Sequence, residues 1–111
     1  MKNTSVTSSK VDLKEDCVSS CLNVLGNKWT ALILTELTSS PKRFGELERS
    51  LPGISPRTLS QRLEDLVGYK IITKKAYAEV PPRVEYTLTA KGHDFMPILQ
   101  QMENWGSKYS S

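Results

Sequence analysis

The polar side chains between Ser55 and Arg62 are the residues of this sequence best suited to chemical recognition. Arg57, Thr58 and Gln61 carry groups that donate or accept hydrogen bonds in defined directions. In the major groove of DNA, arginine can pair bidentately with guanine and glutamine with adenine, and each good pair contributes about 1–3 kcal/mol of discrimination between bases. The segment therefore predicts the reading of base edges rather than catalysis.

A short amphipathic helix is predicted to hold these side chains. Leu59, Leu63 and Leu66 recur at helical spacing and form one apolar stripe. Ser55 can cap the helix through its hydroxyl, and Pro56 suits the first helical position because a missing N–H costs nothing there. The three polar side chains turn away from the leucine stripe within the first two turns. The alternative is an ordinary solvated helix face without a partner.

The residues before this helix complete a helix-turn-helix pattern. Phe44, Leu47 and Leu51 mark a shorter helix, and the pair Pro52–Gly53 forces a tight turn after it. Ile54 is the apolar residue that can fill the angle between the two helices. Two short helices joined in this way, the second capped and polar on its outer side, are typical of proteins that place the second helix in the major groove.

A two-stranded ribbon is predicted next, over about residues 71–88. The apolar period changes there from nearly four to two, and the link EVPP belongs at a hairpin tip because proline cannot donate to a ladder. Lys74, Lys75 and Arg83 flank the tip, where they can meet a phosphate backbone. The two lysines can instead serve only to keep an edge strand from aggregating. The predicted fold class is mainly α with a small β-hairpin (α+β), a winged helix-turn-helix.

Two further helices are predicted at the N-terminal end, and their apolar stripes are expected to help form the core of a single domain. The first has a core-facing stripe of Val18, Cys21, Leu22 and Leu25. The second has Trp29, Leu32, Ile33 and Leu37 at the same spacing. Gly26 can end the first helix in a left-handed turn, and Asn27 can cap the second. Residues 1–14 are predicted to be a flexible tail, and residues 15–108 a DNA-binding and dimerisation domain.

Charge is concentrated in the helix-turn-helix and the ribbon. Of 111 residues, 38% are hydrophobic and 24% are charged, which suits one compact domain. Between Lys42 and His93 there are ten Lys and Arg against six Asp and Glu.

The sequence has no apolar run of about 18 residues and no secretion-signal pattern. We therefore expect no membrane partner and a cytoplasmic location.

The last helix, which Thr89 can cap, carries an apolar stripe that predicts a homodimer. Four helices already cover this small core, so a further apolar stripe on the last helix is expected to meet a second copy, helped by the neighbouring stripe Cys17, Cys21 and Val24 on the first helix. The predicted dimerisation residues are Cys21, Phe95, Ile98, Leu99, Met102 and Trp105. Two-fold pairing would place the two reading helices about 34 Å apart, or a multiple of it. The alternative is that the last helix packs only on its own subunit.

Three motifs in order, LGNKWTALILTEL, RFGELERSLPGISPRTLSQRLEDL and VPPRVEYTLTAKG, followed by Trp105, resemble the HxlR-type winged helix-turn-helix transcriptional regulators of the MarR-like superfamily. The resemblance runs from about Cys17 to Trp105. It implies a homodimer on an inverted-repeat operator of double-stranded DNA, with the helix at residues 55–66 in the major groove. The segment LVGYKII departs from the family pattern, which has an acidic stretch and a glycine before the strand.

By that resemblance, the family's core positions fall on Trp29, Phe44 and Leu47, and its wing contact on Arg83. Its reading helix corresponds to Ser55, Arg57, Thr58 and Gln61. Arg62 is better placed for a backbone phosphate or a local ion pair than for a base. With Arg43 added, the full set predicted to contact DNA is Arg43, Ser55, Arg57, Thr58, Gln61, Arg62, Lys74, Lys75 and Arg83. A rival interpretation keeps the winged helix but makes it a protein-interaction module without specific DNA binding.

Cys17 is a candidate redox sensor. It lies at the start of the predicted first helix, and helix N-termini favour reactive thiolates. The resemblance implies that an oxidant or small-molecule effector can act through such a cysteine, whereas the alternative is that both cysteines are small, half-buried residues. Cys17, Cys21 and the distant His93 make a poor zinc site. No metal, cofactor or enzyme activity is predicted, because no Gly-rich phosphate loop, nucleophile elbow or convincing His/Asp/Ser set is present.

Overall fold

The computed structural model describes residues 15–26 and 28–110 of the chain. The elements are α1 (Glu15–Leu25), α2 (Lys28–Leu37), β1 (Lys42–Arg43), α3 (Phe44–Ser50), α4 (Pro56–Gly68), β2 (Ile72–Tyr77), β3 (Arg83–Leu88) and α5 (Ala90–Tyr109). A mainly helical domain with a hairpin after the helix-turn-helix confirms the predicted fold class. The proposed cap at Asn27 and the proposed tail at residues 1–14 lie outside the described residues.

The core lies where α2, α3, α4 and the base of the sheet meet. Ile33, Leu34 and Leu47 are fully buried, and so are the leucines predicted to form the inner stripe of α4. Trp29 and Phe44 pack against this cluster from its edge. Burying a leucine or isoleucine contributes about 1.5–3 kcal/mol each, so this cluster stabilises the fold more than any hydrogen bond at the surface.

The rotation of α1 and α2 about their axes differs from the predicted stripes. Leu22 is 59% exposed and Leu32 is 43% exposed, whereas Val24 and Leu34 belong to the core. The assignment of Val24 to an outward-facing stripe is therefore wrong. Both helices carry apolar residues on more than one side, so spacing alone allows two rotations. Packing against the rest of the domain selects one of them. Gly26 ends α1 as predicted, with φ +50.

The sheet has three strands in the order β1-β3-β2, and both pairings are antiparallel. The sequence predicted only the hairpin of β2 and β3. The additional strand β1 has two residues, Lys42 opposite Tyr86 and Arg43 opposite Glu85. A two-residue strand is too short to show alternation, so only its pairing with β3 defines it. This pairing ties the start of α3 to the hairpin.

The start of α5 is fixed against the turn that follows α4. Thr89 caps α5 by accepting from the amide of Gly92 (3.0 Å), and its hydroxyl donates to the carbonyl of Lys70 (2.7 Å). The ammonium of Lys91 donates to the carbonyl of Tyr69 (2.9 Å). Lys70 itself has φ +63, in the left-handed region that favours glycine, at the corner where the sequence departs from the family pattern. The end of α4 and the beginning of α5 therefore form one joint.

Within the described ranges, no helix is both long and apolar enough to cross a membrane. α5 is the longest helix, with 20 residues. It continues through Pro97, and most of its C-terminal half is exposed.

Candidate nucleic-acid interface

The turn between α3 and α4 sets the angle between these two helices. Gly53 has φ +93, a conformation that side-chain-bearing residues rarely adopt. The amide of Ile54 donates to the carbonyl of Leu51 (3.1 Å), and both side chains are buried. Ile54 thus fills the angle between the two helices, as predicted.

We call α4 the reading helix, and its first turn has the predicted cap. The hydroxyl oxygen of Ser55 accepts from the amide of Thr58 (3.0 Å), and the hydroxyl donates to Thr58 Oγ1 (2.9 Å). Pro56 occupies the first helical position. A serine cap contributes about 1 kcal/mol to helix stability. It also leaves the first turn ordered while its outer side stays in solvent.

Arg57 and Gln61 both project from the exposed side of the reading helix. The amide nitrogen of Gln61 donates to Asp65 Oδ1 (3.0 Å). The guanidinium of Arg62 pairs with the other oxygen of Asp65 (2.9 Å) and is 25% exposed. Arg62 also approaches Gly26 at the end of α1, so it lies toward the domain rather than on the outermost side.

Asp65 is a site residue that sequence reasoning did not single out. Its carboxylate holds two side chains of the reading helix and lies one turn beyond Gln61. The signal was present in the i, i+4 spacing from Gln61 and the i, i+3 spacing from Arg62, since such pairs face each other on a helix. In the absence of DNA, Asp65 orients the Gln61 amide and takes up part of its donor capacity.

The hairpin, residues 72–88, is called the wing below. Lys74 and Lys75 are exposed on β2, and the Lys75 ammonium lies 5.1 Å from the centre of the Tyr77 ring. Lys74 borders a small cleft shared with Glu64 of the reading helix and Tyr86 of β3. Burial, together with the negative charge of Glu64, raises the pKa of Tyr86 above its usual value of 10.0. Tyr86 therefore stays neutral at physiological pH.

Arg83, predicted to contact DNA from the wing, is turned onto the wing itself. Its guanidinium pairs with Glu79 across the hairpin end (3.0 Å) and lies 4.0 Å from the centre of the Tyr77 ring. Nε lies 3.9 Å from the carboxylate of Glu85, and the side chain is 27% exposed. Arg83 thus joins both strands of the wing just below its tip.

Apolar side chains cover one side of α5 beyond the core. We call Ile98, Met102, Trp105 and Tyr109 the C-terminal stripe, and all four are exposed. Phe95 is only 8% exposed and belongs to the core of its own subunit, while Leu99 is partly buried against that core. A groove of about 790 Å³ between α2 and α5 adjoins the stripe at Met102 and includes the exposed Leu32.

The two cysteines lie on α1 and neither forms a disulfide. Cys17 is exposed, whereas Cys21 is partly buried against the core. Within the part of the chain that the structure describes, no three His, Cys, Asp or Glu side chains gather as a metal site requires.

Comparison with known protein families finds a match that covers most of the chain. A family model described as HxlR-like helix-turn-helix matches residues 24–111. An uncharacterised HTH-type transcriptional regulator of Synechocystis sp. is 44% identical over 88 residues, which make up 79% of this chain and 65% of the relative. The chain thus spans slightly less than two thirds of that relative's length.

Solved structures show the same similarity in three dimensions. The reduced form of the redox regulator HypR has a TM-score of 0.78 and 37% identity, covering 83% of this chain and 91% of HypR. HypR has also been solved in an oxidised form. The reduced form of the transcriptional regulator YodB from B. subtilis has a TM-score of 0.80 and 32% identity, covering 89% and 97% of the two chains. The similarity therefore extends over most of the fold in each case.

Proposed function

The chain belongs to the HxlR-like helix-turn-helix family, and we propose that it is a transcriptional regulator of the helix-turn-helix type that acts as a homodimer on an inverted-repeat DNA operator. The domain, residues 15–108, would place one reading helix of each subunit in the major groove and one wing along the backbone and minor groove. Its setting is the cytoplasm. The exposed pair Arg57 and Gln61, on the capped first turns of α4, carries the proposal.

The reading helix is suited to base contacts at its N-terminal end. Ser55, Arg57, Thr58 and Gln61 lie within its cap and first two turns, whereas Glu64 and Asp65 follow one turn later. The negative charges would repel a duplex that approached the second half of the helix. Arg57 is the strongest candidate for a guanine contact. Gln61 can contact adenine once its amide exchanges Asp65 for a base.

The flanking residues are suited to phosphate contacts. Arg43 is exposed in β1 at the start of α3, and Lys74 and Lys75 are exposed on the wing. Each cation that neutralises a phosphate steepens the salt dependence by about 0.9 in log affinity per log salt. Arg62 and Arg83 are already held by carboxylates, so in this proposal they act mainly by positioning the helix and the wing.

The exposed apolar surface of α5 supports the homodimer. The C-terminal stripe projects beyond the core, and an isolated helical end of about ten residues is only marginally stable in water. A second copy would cover the stripe, with Leu99 at its edge and Cys21 and the exposed Leu22 adding contacts from α1. The joint at Thr89 and Lys91 then links each subunit's α5 directly to the end of its reading helix.

A binding experiment tests the proposal through Arg57 and Gln61. Duplexes are selected from fragments of the source genome with the full chain, and affinities for the best duplex and for a scrambled one are measured over a range of salt. Replacing each residue by alanine should lower specific affinity about tenfold or more, because each removes a base contact of about 1–3 kcal/mol. Affinity for the scrambled duplex should change much less.

Lys108→Ala is the matched control, because it removes a cation from the far end of α5. It should leave the ratio of specific to non-specific affinity unchanged. Failure of the wild-type chain to select any duplex, or binding that is insensitive to salt, would favour the rival protein-interaction module.

Redox control is a second candidate function, supported by the exposed thiol of Cys17 and by the relative HypR, which has been solved in reduced and oxidised forms. Cys17 and Cys21 are four residues apart on one helix, a poor geometry for a disulfide. Oxidation would therefore link subunits or attach a small thiol. Small-molecule effectors are equally compatible with an exposed thiol.

Diamide treatment tests this candidate. We expect diamide to release the selected duplex from the wild-type chain but not from Cys17→Ser, because the variant lacks the exposed thiol. Binding before and after treatment is measured by fluorescence anisotropy, with reversal by dithiothreitol as a check. Cys21→Ser is the matched control and should still respond. Equal release from wild type and Cys17→Ser would eliminate Cys17 as the sensor.

A further inference from the structure

The tip of the wing is apolar, although the wing as a whole is basic. Val80 is fully exposed and is followed by two exposed prolines, Pro81 and Pro82. From Ile72 to Leu88, all of which the structure describes, Val80 is the one large apolar side chain that is mostly exposed. Single exposed hydrophobic residues are common, so exposure alone identifies no partner. The surroundings of Val80 supply the rest of the argument.

The cations near the tip are engaged within the wing. Arg83 is held between Glu79 and the ring of Tyr77, and the Lys75 ammonium lies over the same ring. The Arg83–Glu79 pair closes the hairpin directly beneath Val80. Two consecutive prolines further restrict the backbone of the tip. A rigid apolar point is therefore presented to solvent directly above the Arg83–Glu79 ion pair.

The length of the wing fits the spacing between neighbouring grooves of DNA. Each strand has six residues, and at about 3.3 Å per residue the hairpin reaches about 20 Å. One half-turn of B-form DNA is about 17 Å, since a full turn is about 34 Å. With the reading helix in the major groove, the tip can therefore reach the minor groove on the same face of the duplex.

An apolar side chain in the minor groove can distinguish A·T from G·C base pairs. A·T pairs present only acceptors on its floor, whereas G·C pairs add the exocyclic amino group of guanine. An apolar side chain cannot accept from that donor, and covering it leaves an unsatisfied polar group. A valine in the groove should thus disfavour G·C pairs by sterics and by desolvation. Apolar side chains of other architectural proteins enter minor grooves in a similar way.

We propose that Val80 is a specificity-determining residue that contacts the minor groove about one half-turn from the reading helix and selects A·T pairs there, with Arg83 as the positioning residue that holds the tip. The inference rests on the proposed DNA-binding function and deepens it. It assigns sequence preference to bases outside the reach of Arg57 and Gln61. It also changes the role expected of Arg83: instead of contacting a phosphate, Arg83 holds the tip of the wing in position.

Three versions of the selected duplex test the role of Val80. They differ only in the base pairs half a turn outside the reading-helix contact, which are A·T, G·C or inosine·C. Inosine·C matches G·C in the major groove but lacks the amino group in the minor groove. The wild-type chain should bind the G·C duplex about fivefold or more weakly than the A·T duplex, and inosine·C should restore most of the loss.

Val80→Ala should bind the A·T duplex more weakly and reduce the discrimination to less than about twofold, with an unchanged salt slope because no charge is lost. The conservative variant Val80→Ile should keep the discrimination. Equal binding of all three duplexes by the wild-type chain, or intact discrimination by Val80→Ala, would overturn the inference while leaving the proposed function standing. Failure to select any duplex would instead remove the proposed function, and this inference with it.

Arg83 is tested by its salt slope. Arg83→Ala should weaken discrimination as Val80→Ala does, yet leave the slope unchanged, because its guanidinium is held by Glu79. Lys75→Ala is the comparison and should lower the slope by about 0.9 if that lysine meets a phosphate. A drop of the same size in Arg83→Ala, with discrimination intact, would return Arg83 to the role of a phosphate contact.

Discussion

Substituting alanine for Gly92 is expected to destabilise the folded domain by about 3 kcal/mol or more. A Cβ atom at Gly92 would overlap the carbonyl oxygen of Ile71 and approach Leu88 Cδ2 to 3.0 Å. The oxygen belongs to backbone that is pinned by Thr89, whose amide donates to the same carbonyl (3.0 Å), so it cannot move aside cheaply. Overpacking of a well-packed site costs about 1–3 kcal/mol, and a clash with fixed backbone falls at or above the top of that range.

Urea unfolding at one fixed protein concentration measures this effect, because the apparent stability of the proposed dimer would depend on concentration. Gly106→Ala is the control on the same helix. A Cβ there meets nothing within 4 Å, so helix propensity should stabilise the domain by up to about 1 kcal/mol. Equal effects of the two substitutions would show that the joint between α5 and the turn after α4 is looser than described.

Charging the C-terminal stripe is expected to give the largest loss of operator binding. The double variant Ile98→Glu/Met102→Glu places two carboxylates in the surface that a second copy would cover, and burying unpaired charges costs several kcal/mol. The variant should be monomeric at micromolar concentration by sedimentation or light scattering. Because a monomer presents one reading helix instead of two, operator affinity should fall at least about a hundredfold.

Asn104→Glu/Ser107→Glu is the matched control, because it adds the same charge on the opposite side of α5. It should remain dimeric and bind the operator within a few-fold of wild type. A dimeric Ile98→Glu/Met102→Glu variant, or a wild-type chain that is monomeric while bound to DNA, would contradict the proposed interface.

These two predictions concern the two ends of one helix. The first turn of α5 is bonded to the turn after α4, and its last turns carry the apolar stripe. In the proposed dimer, a rigid connection of this kind would make the dimer contact determine where each reading helix points. Oxidation of Cys17 on α1, if it shifts the dimer, would act on DNA binding through the same helix.

Local patterns were sufficient wherever a structural feature depends on a few neighbouring residues. The cap at Ser55, the tight turn at Pro52–Gly53 and the buried leucines of α4 follow from residue type and spacing. Their predictions are confirmed because a cap or an amphipathic stripe is formed within one or two turns of the chain. Val80 was part of the predicted tip, but its exposure had no signal of its own in the sequence.

Features that depend on distant residues were predicted less well. The strand β1 exists only through its pairing with β3, and the exposed positions of Leu22 and Leu32 depend on how α1 and α2 pack. Gln61, Arg62 and Arg83 were predicted as DNA contacts, yet each side chain is held by a carboxylate in the free protein. Those partners lie at favourable spacing in the sequence, but only coordinates show which of several rotamers brings the groups together.

The sequence by itself determined the order of the five helices and the two hairpin strands, the end of α4 that faces outward and the positive charge around it, because these follow from periodicity, capping and composition. The tertiary structure alone decided how α1 and α2 are rotated, that α5 is bonded to the end of the reading helix, and that the wing is braced by Arg83 beneath an apolar tip. The physical reason is that contacts between residues far apart in the chain are set by the packing of whole elements, which spacing along the sequence does not specify.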